Sequence, residues 1–185
     1  MALWIILAIL AVLVIAVVAL FNGFVLKRNR VDRANADLDA AYQKRYDTIP
    51  NLVDTVKSYK DFEKGTLEAV TKARTAAMNA GAGEAKEGAE NQLTGALKSL
   101  FAVAENYPDL KSSENYLQLQ GELVDLEDKI MAARRFFNAS VLDYNTAIQT
   151  FPGNVMAGMF GFSKKDSFVV KDDSVRDAQK VDFKE

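Results

Sequence analysis

The feature that most constrains this chain is the uninterrupted apolar run "ALWIILAILAVLVIAVVALF" at its N-terminus, Ala2–Phe21. The run is twenty residues long and contains no charged side chain. As a helix it would rise about 30 Å, which is the thickness of the hydrocarbon core of a bilayer. It therefore predicts a membrane-spanning helix, and we assign the membrane anchor to Trp4, Ile5, Leu7, Leu10, Val14, Val17, Leu20 and Phe21.

A cleaved signal peptide is the alternative interpretation of this run. Signal peptides begin with a basic segment, have a shorter apolar core and end at a small-x-small cleavage site. Here nothing basic precedes the run, and "VVALFNGF" is a poor cleavage site. We therefore favour an uncleaved, single-pass anchor over residues 1–23.

A positively charged flank follows the run, made of Lys27, Arg28, Arg30 and Arg33. Only Asp32 offsets these cations, although the whole chain carries a net charge of −2. Because cationic flanks stay in the cytoplasm, the pattern predicts a cytoplasmic domain on a bacterial inner (cytoplasmic) membrane. A periplasmic domain is the alternative. The mildly acidic remainder does not favour a nucleic-acid partner.

The chain contains no histidine and no cysteine. It therefore lacks the usual general base at neutral pH, the commonest metal ligand and any thiolate nucleophile. Triads that use histidine or cysteine are impossible, and no motif supports carboxylate or Ser-Lys chemistry. We expect a protein that is not an enzyme and needs neither cofactor nor metal.

Apolar residues recur at helical spacing in four segments after the anchor, roughly over residues 31–49, 52–77, 93–107 and 116–151. The last segment follows a heptad seam typical of a coiled coil. Val124, Met131, Val141 and Ile148 widen that seam, as in a bundle helix. We predict an all-α protein, with an up-and-down four-helix bundle of long helices over residues 24–152 and an irregular segment over 153–185.

Several longer motifs in this region resemble those of the LemA family. They are "KRYDTIPNLVDTVKSY", "EAVTKAR", "ENYPDLKSSENYLQLQGEL", "ARRFFNASVLDYN" and the pair "FP" at residues 151–152. The resemblance covers nearly the whole chain. It implies a four-helix bundle on a single-pass anchor but no activity. Some relatives are associated with the formation of membrane compartments, so it also implies a role in membrane organisation.

The stretch "KRYDTIPNLVDTV", residues 44–56, raises the question of what its proline and polar residues do. We favour a turn at Pro50 between the first two helices, with Arg45 close to Asp54, because proline is poorly tolerated inside a helix. A kinked but continuous helix is a second geometry. The functional alternative is a partner-docking patch made of Arg45, Tyr46, Asp47, Pro50, Asn51 and Leu52.

Two further features are candidates for contacts. Glu63 falls in the apolar seam of the second predicted helix, where it would pair with a cation or face solvent. A cluster after the fourth helix contains Met156, Met159, Phe160 and Phe162. Neighbouring glycines disfavour a regular helix there. We favour a contact made with a second subunit or the bilayer over packing on its own bundle.

Two functions of different class follow. The first is a membrane-anchored scaffold, a homo-oligomer that organises or shapes the membrane. The second is a membrane-tethered adaptor that recruits a protease, a signalling protein or another membrane protein partner. Self-association of the purified protein distinguishes them.

Overall fold

All regular elements that the structure describes are helices. The computed structural model describes residues 1–59 and 62–168. In these ranges the helices are α1 (Ala2–Lys57), α2 (Lys64–Asn79), α3 (Glu84–Ala104), α4 (Pro108–Lys111), α5 (Glu114–Gln149) and α6 (Gly153–Phe160). The predicted all-α class is therefore confirmed.

The anchor and the first bundle helix are one continuous rod of 56 residues, α1. Its most apolar stretch has a mean hydropathy of 3.3, and none of that stretch is buried within the protein. A core helix of a soluble protein would be covered by other elements. The bare apolar surface of α1 is what a bilayer would cover.

The bundle is built on an antiparallel pair, α1 and α5. Two ion pairs show that the helices run in opposite directions. Arg30 pairs with Asp143, and Arg45, further from the anchor, pairs with Glu127, which is earlier in α5. α2 and α3 form a second antiparallel pair against the membrane-distal half of the first. Together the four helices enclose one large apolar core that begins at Leu38.

A smaller core closes the membrane-proximal half. There α6 takes the place of α2 and α3, and Phe24, Tyr144 and Met156 are buried together. The chain then runs back along α5 as residues 162–168, which we call the C-terminal strap. Asn145 and Asn138 hold it: each side chain donates to a strap carbonyl and accepts from the amide of the same residue, Lys165 and Phe168 respectively, at 2.8–3.0 Å.

The structure corrects the predicted turn at Pro50. α1 continues through Pro50 to Lys57, and α2 begins only at Lys64. The continuous geometry that the sequence left open is therefore the one adopted. Glu63 is not in a seam either, because it is exposed and immediately precedes α2.

The expectation of an irregular segment after residue 152 is wrong for its first part. Gly153–Phe160 form helix α6, ended by Gly161 in the left-handed conformation at φ 73°. Packing of Met156 and Ala157 on the bundle offsets the low helix propensity of the glycines. Residues 169–185, which complete the predicted segment, lie outside the described part of the chain.

Candidate functional site

Arg45 lies at the centre of the bundle rather than at its surface. Its side chain is only 1% exposed because position 45 falls on the buried seam of α1, between Tyr42 and Ile49. The guanidinium donates to Glu90 of α3 and, at 2.6 Å, to Glu127 of α5. One cation therefore joins three helices.

Further polar groups complete this buried network. Glu90, which is fully buried, also accepts a hydrogen bond from the hydroxyl of Tyr46. That hydroxyl accepts in turn from Lys86 at 3.0 Å. Burial, followed by the hydrogen bond to Glu90, raises the pKa of Tyr46 far above its usual value. The network balances two cations against two carboxylates, which is how buried charges avoid an uncompensated loss of hydration.

Pro50 explains a second contact of this stretch. Proline has no amide hydrogen, so the carbonyl of Tyr46, four residues earlier, lacks its helical donor. Arg74 of α2 fills that place, with its Nε 2.7 Å from the Tyr46 oxygen. The backbone hydrogen bond that α1 lacks at Pro50 is therefore replaced by one that joins α1 to α2.

These positions change the interpretation of residues 45–52. Arg45, Tyr46 and Leu52 are buried and cannot form the surface of a docking patch. Asp47 and Asn51 are exposed, and Asp47 accepts from Gln43 at 2.8 Å. Arg45 pairs with Glu90 and Glu127, not with Asp54. The buried residues of the motif therefore join helices inside the bundle rather than present a surface.

The network is unsuited to catalysis. Arg45 and Glu90, at its centre, are buried and pair with each other, so neither is open to a substrate. Within residues 1–59 and 62–168, no group of three acidic side chains is placed to hold a metal ion. The arrangement instead fixes the register of α1, α2, α3 and α5.

Glu90, Glu127, Lys86 and Arg74 are the site residues that sequence analysis missed. A signal for Glu90 was present, since it precedes Leu93 and Leu97 by three and seven residues and shares their seam. A charged residue on an apolar period predicts a buried partner on another helix. Glu127 lies beside its seam rather than in it, so its pairing depends on how the helices pack.

The cations after the anchor lie along the first turns of α1 beyond the apolar run. Arg28, Arg30 and Arg33 are exposed, and Lys27 is half-buried. Arg30 is 3.8 Å from the carboxylate of Asp143, and its guanidinium lies 5.2 Å from the ring of Phe136. The flank is therefore partly engaged with α5.

The C-terminal cluster divides into two sets. Met156 is buried, and Phe162 packs edge-on against Phe24 with ring centroids 5.3 Å apart. For these two residues the favoured contact outside the bundle is wrong, because they pack on their own chain. Met159 and Phe160 remain exposed, although the ring of Phe160 also contacts that of Phe21, with centroids 5.1 Å apart.

The outer face of α5 carries an unpredicted apolar stripe. Leu117, Val124 and Met131 follow one another at intervals of seven residues, and they are 50%, 52% and 44% exposed. Leu142, which is 66% exposed, follows Val124 by eighteen residues, or five helical turns. We call these four residues the α5 stripe. The sequence had placed Val124 and Met131 at the flank of the core.

The fold and its bare apolar helix define a membrane-associated helical protein. The chain belongs to the LemA family, whose model matches residues 34–183. It is 31% identical over 140 residues to Protein LemA of Metamycoplasma hominis, covering 74% of this chain and 63% of that protein.

Two magnetosome proteins are also similar. Magnetosome protein MamQ of Magnetospirillum gryphiswaldense is 40% identical over 88 residues, which are 48% of this chain and 32% of that protein. Magnetosome protein MamQ 1 of Paramagnetospirillum magneticum is 26% identical over 177 residues, covering 82% of this chain and 65% of that protein. The chain thus spans between about one third and two thirds of the length of these relatives.

Proposed function

We propose that this protein is a non-enzymatic scaffold that is anchored in the membrane, self-associates through the α5 stripe and thereby organises the membrane around it. The exposed stripe is the observation that carries the proposal. Four large apolar side chains stay exposed along one face of α5, where the exposed Asp128 and Arg135 also lie, and such apolar surface commonly marks a site of association. The buried side of α5 is already complete, so the stripe has no role in its own bundle.

The spacing of the stripe favours another helix as its partner. Positions seven residues apart form a narrow line that drifts slowly around a helix, which is the pattern of a coiled-coil seam. From Leu117 to Leu142 the line is about 37 Å long. A second α5 presents a surface of the same length and the same apolar character.

The anchor restricts how two copies can meet. Both apolar runs must enter the same bilayer in the same direction, so a twofold axis between copies has to be perpendicular to the membrane. α5 packs antiparallel to α1, the helix that carries the anchor. Two copies standing side by side can therefore bring their stripes together in parallel.

The chemistry of the rest of the chain agrees with a structural role. The chain contains no histidine or cysteine, and its most buried charges are paired inside the core. Names of the relatives reported above also denote magnetosome proteins rather than enzymes. These observations support a scaffold at a membrane.

The test is the mass of the full chain in detergent, measured by light scattering during size-exclusion chromatography. We expect at least a dimer for the native protein and a monomer for Met131→Glu. Ala132→Glu is the matched control, since it adds the same charge at the next exposed position, away from the stripe. Both variants should keep the native melting temperature.

Crosslinking in membranes gives an independent measurement, because the native chain has no cysteine to interfere. A twofold contact brings Val124 of one copy near Val124 of the other, so Val124→Cys should form a disulfide-linked dimer. Asp125→Cys, also exposed, should not. A native protein that is monomeric and gives no crosslink would refute the scaffold and favour the adaptor, in which the stripe binds a different protein.

A further inference from the structure

Helix α6 lies directly against the end of the apolar run. The ring of Phe21, the last residue of that run, is 5.1 Å from the ring of Phe160 and 5.6 Å from that of Phe162. Leu20, the preceding residue, and Val17, one turn deeper, pack on the smaller core that contains Met156 of α6. If the run fills the hydrocarbon core, α6 is held at the level of the bilayer surface.

The side of α6 away from the bundle is apolar. Met156 and Ala157 face the core, whereas Val155 and Met159, four residues apart and therefore neighbours on the helix surface, are 54% and 73% exposed. Phe151, just before the helix, is 84% exposed. No described element of the chain covers this surface, which contains no charged side chain.

Cations stand close to this helix. The hydroxyl of Tyr144 donates a 3.0 Å hydrogen bond to the carbonyl of Ser163, three residues after α6 ends, and two residues later Lys165 pairs with Asp32 of α1. Lys164, between Ser163 and Lys165, is exposed. Positive charge placed beside an apolar surface at this level suits anionic lipid headgroups.

We propose that α6 is an interfacial helix that lies on the bilayer, with Val155 and Met159 inserted between the lipid headgroups and the acyl chains. The bilayer is a better occupant than a second subunit, because the surface continues the membrane-spanning run without a polar gap. A single anchor leaves a domain free to tilt, and a second contact would hold the bundle at a fixed angle. This inference rests on membrane anchoring but not on self-association.

The experiment measures how deeply α6 enters lipid. The full chain is placed, one copy per disc, in nanodiscs of phosphatidylcholine and phosphatidylglycerol. A single nitroxide label is attached through Val155→Cys or Met159→Cys. Label accessibility to oxygen, which concentrates in lipid, is compared with accessibility to a water-soluble nickel chelate.

Two control labels calibrate the measurement. Ser99→Cys is exposed on α3, far from the anchor, and Ile9→Cys lies within the apolar run. We expect the ratio of oxygen to nickel accessibility at positions 155 and 159 to be several-fold higher than at 99 and lower than at 9. A ratio at 155 and 159 equal to that at 99, with position 9 in lipid, would overturn the proposal.

The number of copies separates the two possible occupants. A high ratio of oxygen to nickel accessibility at position 159 in discs with one copy supports insertion of α6 into lipid. If the label at position 159 is protected from the nickel chelate only in discs with two copies, and the two labels show spin–spin broadening, a second subunit covers α6. That result would also overturn the proposal. A water-like ratio at position 9 would show that the anchor itself is not in the membrane.

Discussion

Arg45 shows how one side chain can determine the interior of a bundle. It is buried where the seam of α1 would ordinarily carry an apolar residue, and it binds carboxylates on two other helices. Burying charge in this way adds little net stability, but removing one member leaves its partners buried without a counterion. The best-supported role of such a buried ion pair is to fix how the helices it joins are aligned along one another.

Replacing Arg45 tests this interpretation. Arg45→Ala should lower the free energy of unfolding by about 3–5 kcal/mol, because Glu90 then loses its buried partner and keeps only the more distant Lys86, at 3.5 Å. The adjacent Lys44 is a matched control, since its ion pair with Glu122 is exposed to solvent. Lys44→Ala should change stability by less than about 1 kcal/mol. Chemical denaturation of both variants gives the comparison, and equal effects would contradict it.

Gly153 is required by close packing. A Cβ atom at this position would lie 2.2 Å from the carbonyl oxygen of Ala147 and 3.1 Å from the ring of Phe24. Gly153→Ala should therefore displace α6 and lower the free energy of unfolding by about 1–3 kcal/mol. Thermal unfolding followed by circular dichroism measures the loss.

Gly158 provides the control in the same helix, because a Cβ atom there meets nothing within 4 Å. Gly158→Ala should leave stability unchanged or raise it by about 0.5–1 kcal/mol, since alanine favours the helix. If both substitutions change the free energy of unfolding equally, helix propensity rather than contact with α5 determines the position of α6.

At the scale of the elements, the carbonyl of α1 that lacks its helical hydrogen bond accepts one from α2 instead. Pro50 leaves the Tyr46 carbonyl without its usual donor, and Arg74 supplies one. An apparent helix breaker thus specifies a contact between two helices. The two residues should therefore be coupled energetically, although they lie on different elements.

A double-mutant cycle measures this coupling. In the native background, Arg74→Met should lower the free energy of unfolding by about 1.5–3 kcal/mol, the range for a hydrogen bond to a charged group. In the Pro50→Ala background the loss should be smaller, because the alanine amide now donates to Tyr46. Equal losses in both backgrounds would show that Arg74 acts through other contacts.

At the scale of the whole molecule, buried tyrosines link stability to alkaline pH. Burial raises the pKa of Tyr42, Tyr46, Tyr116 and Tyr144 above that of an exposed phenol. A raised pKa means that the folded state keeps a proton that the unfolded state has lost. Its contribution is fully present below about pH 10, the pKa of the unfolded phenol, and is lost as the pH rises further.

We therefore expect the free energy of unfolding to fall steadily above about pH 10, by up to about 1.4 kcal/mol per pH unit for each buried phenol. Denaturation between pH 8 and the onset of alkaline unfolding measures the slope. Tyr116→Phe should make the slope shallower, because it removes one such group outside the buried network. If the free energy of unfolding of the native protein does not fall above about pH 10, the tyrosines ionise equally in the folded and unfolded states.

The orientation of the molecule is a prediction from charge. The four cations after the anchor predict that the bundle lies in the cytoplasm. A green fluorescent protein fused after Glu185 should fluoresce, and an alkaline phosphatase fused there should be inactive. Neutralising Lys27, Arg28, Arg30 and Arg33 should mix the two orientations. An active phosphatase fusion on the native sequence would place the bundle in the periplasm.

The sequence by itself determined the long apolar helix at the N-terminus, the all-helical class and the long helix α5. Each of these depends on local regularities: an apolar run as long as a bilayer is thick, and apolar residues at intervals of three and four. Only the tertiary structure decided that α1 passes through Pro50, since the donor that makes this possible is Arg74, on another helix. The same holds for Arg45, whose partners lie 45 and 82 residues away. Which apolar residues of α5 remain exposed also depends on how much of the helix its neighbours cover, and a local pattern does not contain that information.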